Sequence, residues 1–213
     1  MKIHNLYSTP IYSSFVDNYQ KIQEELQCRY DKSTFTMRED WGHTHYLSQE
    51  DFRGSVFDSP GLEIFEKEIH KHVQRYLNEI RFTTESPNFV ENMYYRIANS
   101  WFAKFEKGCY AHIHNHGCAD ISGVYYFKMP EGASELFVTS ANPFFDSSFV
   151  YNHLGFRKYY TPPQGSIYLM PGFMNHGVKT NTTDEDRVSL AFNIVFERPE
   201  IAQSQRQKPT SGY

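Results

Sequence analysis

The stretch Gly108-Cys109-Tyr110-Ala111-His112-Ile113-His114-Asn115-His116 places an imidazole at every second position near its end. Side chains of an extended strand alternate between faces, so the spacing predicts that His112, His114 and His116 share one face. Much later in the chain come Pro171 and His176, and then Arg187. A His-x-His pair met by one His from a distant strand fills one side of a metal coordination sphere and leaves the other positions open. A lone histidine is more often a satisfied core residue. The pair together with a third His, in a segment bracketed by Pro and Gly, points to metal. Imidazole suits Fe, Zn, Cu and Ni, and no CxxC pair supports a structural zinc. His112 then reads as a supporting or substrate-pocket residue beside Tyr110.

Working outward, Val188 to Phe196 alternates well. Val188, Leu190, Phe192, Ile194 and Phe196 fall on one face, and Arg187, Ser189, Ala191 and Asn193 on the other. A guanidinium beside a hydroxyl, both pointing inward, suits a terminal carboxylate. Strands are also predicted within Asn92–Phe105, over Ser122–Lys128, at Leu136-Phe137-Val138, and over Ser166–Met170 after the turn Pro162–Gly165. Trp101, Phe102 and Phe105 suit core packing first and pocket lining second, with Trp101 kept among the candidate pocket residues. Residues 142–160 have a weaker pattern and read as a long loop over the mouth of a barrel.

The first half carries helical signals. Asp17 with Gln20 reads as a capping box before Ile22 and Leu26. Ser59-Pro60 followed by Leu62, Phe65, Ile69, Val73, Tyr76, Leu77 and Ile80 predicts a helix with Pro in its first turn. His70 and His72 lie two apart on it, share no face, and read as solvated or half-buried. Helices followed by short strands predict a mainly β (α+β) chain, with helices packed on one side of a sandwich or barrel. One domain over 1–200 is expected, with 1–90 as a helical and strand support region, 91–197 as the core and 201–213 as a flexible tail.

Composition narrows the partners. The net charge of −4 over 213 residues speaks against nucleic acid, whose phosphates need a basic face. No long apolar run or apolar leader is present, so no membrane is expected. Cys28, Cys109 and Cys118 form an odd set without framework spacing, which suggests reduced thiols and a cytoplasmic protein. A homodimer is the commonest symmetric assembly.

These residues resemble the 2-oxoglutarate- and Fe(II)-dependent oxygenases, whose core is a double-stranded β-helix (jelly roll). In that superfamily a Gly-x5-His-x-Asp strand supplies two metal ligands and a distal His the third. An Arg further on, often followed by x-Ser, binds the C5 carboxylate of 2-oxoglutarate. This chain reads Gly108-x5-His114-x-His116, then His176, then Arg187-Val188-Ser189. Ser122-Gly123-Val124-Tyr125-Tyr126 resembles the strand of prolyl-hydroxylase-like members whose second Tyr reaches 2-oxoglutarate, which gives that role to Tyr126. Gly165 to Pro171 resembles the Gly-x5-Pro approach to the distal His. One group of oxygenases without an assigned substrate carries His-x-His followed by Ser-Gly-x-Tyr-Tyr. Its chains open with a segment like Leu6–Tyr12. The resemblance covers 95–197 and, less closely, the N-terminal half.

The resemblance implies Fe(II) on His114, His116 and His176, with 2-oxoglutarate and O2 as co-substrates. Arg187, Ser189 and Tyr126 would hold the far carboxylate, with Asn193 in support and no side chain acting as acid or base. The substrate would be a peptidyl side chain or a small molecule, hydroxylated as 2-oxoglutarate is oxidatively decarboxylated. His116 stands where most of the family has Asp, and a neutral imidazole brings no negative charge to the metal. Asp120 is the outside candidate for a carboxylate ligand. Two other readings remain open. A cupin also satisfies Gly108-x5-His114-x-His116 and Pro171-x4-His176, but needs neither Arg187 nor Ser189. A non-catalytic metal-binding barrel would keep only the histidines.

Overall fold

The two-residue alternation of the last strand organises the whole fold. β11 (Arg187–Glu197) is paired on one side with β4 (Tyr94–Phe105) and on the other with β6 (Ile121–Lys128), both antiparallel. Its Val188, Leu190, Phe192 and Ile194 are fully buried against the helices, together with Ile22, Leu26, Phe65, Ile69 and Val73. Each such side chain contributes roughly 1.5–3 kcal/mol on burial. Its Arg187, Ser189 and Ala191 turn the other way, into a cavity. The predicted faces of this strand are the observed ones.

The computed structural model describes residues 9–37, 44–51, 53–84, 94–140, 149 and 157–197. Beside β4, β6 and β11, the strands are β1 (Tyr12–Phe15), β2 (Phe35–Met37), β3 (Tyr46–Ser48), β5 (Ala111–His114), β7 (Leu136–Thr139), β8 (Arg157–Tyr160), β9 (Ser166–Pro171) and β10 (His176–Val178). They form a seven-stranded sheet in the order β1-β9-β6-β11-β4-β3-β2 and a four-stranded sheet in the order β5-β10-β7-β8. The helices α1 (Tyr19–Tyr30) and α2 (Glu63–Thr84) cover the outer face of the larger sheet. This is the jelly roll with helices on one side that the sequence predicts. Among the described residues, no helix is long and apolar enough to cross a membrane.

Several expectations need correction. No individual strand is predicted before Asn92, yet β1 adds to β9, and β3 with β2 adds to β4. These strands span three or four residues, too few to show a period. β8 falls within the segment read as loop; the remainder of that segment, apart from Phe149, lies outside the described residues. So do residues 201–213, Leu6 to Ser8, and the start of the strand predicted from Asn92.

The Asp17–Gln20 capping box does not form, since α1 is preceded by Asn18 without a side-chain cap. Asp17 faces the other helix instead. Its N–H donates to Glu68 Oε1 at 3.0 Å, and its carboxylate pairs with Lys71. The second helix starts at Glu63, not at Ser59-Pro60, because Gly61 takes a left-handed φ of 101° that a helix cannot contain. The carboxylate of Glu25 on α1 accepts the N–H groups of Ile64 and Phe65, so one helix caps the other. His70 is half-buried as expected, but His72 is fully buried. It lies 2.7 Å from Tyr12 Oη and 3.1 Å from Glu68 Oε1, which ties β1 to α2. The three cysteines are free thiols, with Cys109 buried in an apolar cluster.

Candidate metal centre

β5 brings the first histidine to the cavity with a break in its own alternation. His114 pairs with His176, while the next pair is Ala111 with Val178. Three residues of β5 therefore answer two of β10, the signature of a bulge. The extra residue resets the pleat. Ala111 and His114 both face the cavity, whereas His112 is exposed and meets the Tyr110 ring edge-on at 4.9 Å. The predicted common face of His112, His114 and His116 thus does not exist, and neither His112 nor Tyr110 lines the cavity.

His116 lies beyond the end of β5 and is placed by backbone bonds. Its N–H donates to Gly172 O at 2.7 Å, and its C=O accepts from Ala119 N–H at 2.7 Å. Gly172 N–H donates to Asp120 O at 3.1 Å. A Cβ at position 172 would stand 1.9 Å from Ala119 O and 2.8 Å from His116 O. Backbone on both sides cannot yield cheaply. Gly172→Ala is expected to destabilise the fold by about 3 kcal/mol or more, as overpacking and a lost backbone bond combine. Urea titration and metal titration should shift together, because the clash falls on the loop that carries His116.

The rings of His114, His116 and His176 have centroids 5.4, 5.1 and 4.4 Å apart. One ligand nitrogen from each lies within 4.8 Å of the others, the only such cluster among the described residues. Their Nδ1 atoms face oxygen partners: His112 O at 2.8 Å from His114, Met174 O at 2.9 Å from His176, and Asn193 Oδ1 at 2.6 Å from His116. A carbonyl only accepts, so each Nδ1 carries the hydrogen and each Nε2 keeps its lone pair for a metal. Ser122 Oγ lies 3.2 Å from the same His116 Nδ1, and the Trp101 ring stacks on His116 at 5.8 Å. Asn193 and Trp101 are therefore brought to the site. So is Phe105, while Phe102 faces the helices. Trp101, a candidate pocket residue, and Phe105, read first as core, are both cavity walls.

Asp120 stands outside this cluster. Its Oδ2 accepts the Phe196 N–H at 2.7 Å and so holds the end of β11. The cluster is all-imidazole, a donor set that fits Fe(II) as well as Zn, Cu and Ni.

Burial keeps these rings neutral. It pushes His116 down to about 4 and His176 to about 3, and lowers His114 as well. His45, which lines the same cavity, is pushed by burial to about 4. The unfolded chain, with imidazoles near 6.5, binds more protons than the folded one between roughly pH 3 and 6.5. Stability is thus complete above about pH 6.5 and drains away as pH falls through that window. At ~1.4 kcal/mol per unit and group, the metal-free protein is expected to lose several kcal/mol between pH 7 and pH 4.5. Urea midpoints measured across this range check it; a flat profile contradicts it.

From the histidines the cavity runs to Arg187, which is 1% exposed. Its Nε has no partner, and its Nη1 reaches only Ser189 Oγ, at 3.4 Å. Its Cζ lies 4.8 Å from the Phe105 ring centre and 5.3 Å from that of Tyr126. The Tyr126 hydroxyl is buried without a partner, and burial raises its pKa. Among the described residues no carboxylate pairs with this guanidinium. An uncompensated buried cation costs several kcal/mol, so the three groups together are built for an anion, and a carboxylate fits them. The structure brings all six predicted ligand and carboxylate residues to one cavity.

His45 is the site residue that sequence reading missed. It stacks on Phe105 at 4.7 Å with planes 5° apart. One His before a three-residue strand gives no signal of that contact. A second cavity, lined by Asn99, Trp101, Asn115, Cys118 and Asn193, shares His114 and His116 with the first.

Residues 99–193 match the family model described as "Putative 2OG-Fe(II) oxygenase". No curated protein matches the chain by sequence. Among solved structures, a 2OG-Fe(II) oxygenase family oxidoreductase from Burkholderia pseudomallei shares the fold at TM-score 0.57. It is 12% identical, with 86% of this chain and 84% of that one covered. A prolyl-4-hydroxylase from Pseudomonas putida gives TM-score 0.56 at 13% identity over 91% and 95%. HygX from Streptomyces hygroscopicus, solved with nickel, 2-oxoglutarate and hygromycin B, gives 0.57 at 11% over 88% and 83%.

Proposed function

We propose, from the match of residues 99–193 to the 2-oxoglutarate–Fe(II) oxygenase family model, that this chain hydroxylates a substrate at the expense of 2-oxoglutarate and O2. The observation that carries the proposal is one cavity with a three-imidazole cluster at one end and an unpaired, buried guanidinium at the other. A dicarboxylate with a metal-chelating end is the ligand such a cavity complements.

His114, His116 and His176 would hold the iron through Nε2. Bound iron and 2-oxoglutarate supply the oxidant, as 2-oxoglutarate and O2 give succinate, carbon dioxide and one oxygen atom inserted into a substrate C–H bond. The protein's own part is placement. Arg187, Ser189 and the Tyr126 hydroxyl bind the far carboxylate. Asn193 and Ser122 hold His116 in the tautomer that leaves Nε2 free. Trp101, flat on His116, keeps water from one side of the centre. No side chain has to shuttle a proton, in keeping with three neutral imidazoles. The second cavity is the approach for substrate, because it opens on His114 and His116 from outside the Arg187 pocket.

The substrate is a peptidyl side chain or a small molecule. Structures of the same fold include a prolyl hydroxylase with a peptide from hypoxia inducible factor and HygX with hygromycin B. The free thiols and the net charge of −4 support a cytoplasmic protein with no nucleic-acid partner. The cupin alternative loses its carboxylate, since Asp120 is engaged at β11.

The test is spectroscopic and chemical. Anaerobic Fe(II) with 2-oxoglutarate should give a weak visible charge-transfer band, and air should then yield succinate. Neither band nor succinate would remove the proposal.

A further inference from the structure

The guanidinium of Arg187 has an unusual anchorage for a buried cation. No carboxylate among the described residues holds it, and its one side-chain bond, to Ser189 Oγ, is long at 3.4 Å. What remains are the ring faces of Phe105 and Tyr126. Its orientation therefore depends on how firmly those rings are held.

Phe105 is held from the side of β3. Arg187 on β11 is in register with Phe105 on β4. On the opposite edge of β4, Tyr46 pairs with Lys104, so His45, one residue earlier, comes beside Phe105. The three side chains form a row across the large sheet, all lining the inner cavity. The His45 ring lies parallel to Phe105 at 4.7 Å. Its own position is fixed, with Nδ1 2.9 Å from Thr44 Oγ1 and a further bond to the Tyr110 backbone carbonyl. His45 is 7% exposed and lies outside the segment that matches the family model.

We propose that His45 is a positioning residue for the dicarboxylate co-substrate: its ring clamps Phe105, and Phe105 holds the Arg187 guanidinium at the end of the cavity. This rests on the oxygenase reading above. The N-terminal region then does more than widen the sheet. It completes the co-substrate pocket that the jelly-roll core alone leaves loose at one wall.

The experiment uses the full chain under anaerobic conditions, with Fe(II) and 2-oxoglutarate titrated separately and followed by the visible band. His45→Leu is expected to weaken 2-oxoglutarate by about three- to tenfold, the value of one aromatic stacking contact, with Fe(II) affinity unchanged. His45→Phe, which keeps a flat ring, should recover most of it. Phe105→Leu should reproduce the loss from the other side of the contact and serves if His45→Leu does not fold. A wild-type 2-oxoglutarate constant in both leucine variants overturns the proposal. So does an equal loss of Fe(II) affinity, which marks a merely structural residue. If the wild-type protein shows no band at all, the oxygenase reading falls and this role falls with it. A normal wild-type band with unshifted variants removes the role of His45 alone.

Discussion

Arg187→Met is expected to abolish useful 2-oxoglutarate binding and, at the same time, to make the metal-free protein harder to unfold. The two effects have one cause. A charge-assisted, two-pronged contact with a carboxylate is worth ~3 kcal/mol, so its loss weakens the co-substrate by about a hundredfold or more. Without co-substrate the same guanidinium is a burden. It is 1% exposed, its Nε is unpartnered, and burial depresses its pKa. Methionine fills much of the same space without a charge, and replacing buried ionic groups by apolar ones of similar volume has gained ~1–4 kcal/mol. Urea midpoints of the two metal-free proteins measure the gain. Adding Fe(II) and 2-oxoglutarate should reverse the order, because a ligand at a hundred times its Kd stabilises the wild type by ~2.7 kcal/mol and leaves the variant untouched. A variant that binds 2-oxoglutarate normally would place the carboxylate elsewhere and remove Arg187 as its anchor. A variant less stable than wild type would mean that Arg187 is paired in solution.

His176→Ala carries the second large effect. His176 is the most enclosed of the three imidazoles, in the middle strand pair of the small sheet, with its Nδ1 committed to Met174 O. Its removal leaves two ligands on one flank of the site. Loss of a supporting hydrogen bond to a metal ligand already costs 10–100-fold in affinity or activity, so loss of the ligand itself is expected to exceed about a hundredfold. The visible band and succinate formation should vanish together. His112→Ala and Asp120→Asn are the controls that give this meaning. Strand periodicity puts His112 on the face of His114 and His116, and Asp120 is the carboxylate that follows them in the chain. The structure turns the first to solvent and binds the second to Phe196 N–H. Both variants should keep wild-type metal affinity, and Asp120→Asn should lose only a little stability. Stoichiometric iron in His176→Ala, or its loss in His112→Ala, would contradict the assignment of the centre.

The comparison of these residues shows where a sequence can be read and where it cannot. The faces of β11 were legible because hydrophobic alternation is a local rule, and the run from Val188 to Ile194 follows it. Ser122 to Lys128 and Ser166 to Met170 were legible as short aromatic and apolar runs bounded by turn residues. The Asp17 capping box was not, because its carboxylate found Lys71 on the other helix, a partner invisible to local spacing. The start of α2 was misplaced because Ser-Pro is a good opening signal, while Gly61 imposes a backbone that no helix shares. The short strands β1 to β3 escaped notice because they exist only as additions to an edge that other strands provide.

The amino-acid sequence by itself offered His112, His114, His116 and His176 as candidate ligands, which the family resemblance narrowed to His114, His116 and His176, and it set the inward face of Arg187 and Ser189 through a period of two. Only the tertiary structure decided which histidines stay out. The bulge between β5 and β10 arises from pairing two strands more than sixty positions apart in the chain, and it turns His112 away while His114 remains. Distance in sequence likewise hid the row of His45, Phe105 and Arg187. No periodicity links three strands whose register is fixed by backbone hydrogen bonding across the sheet.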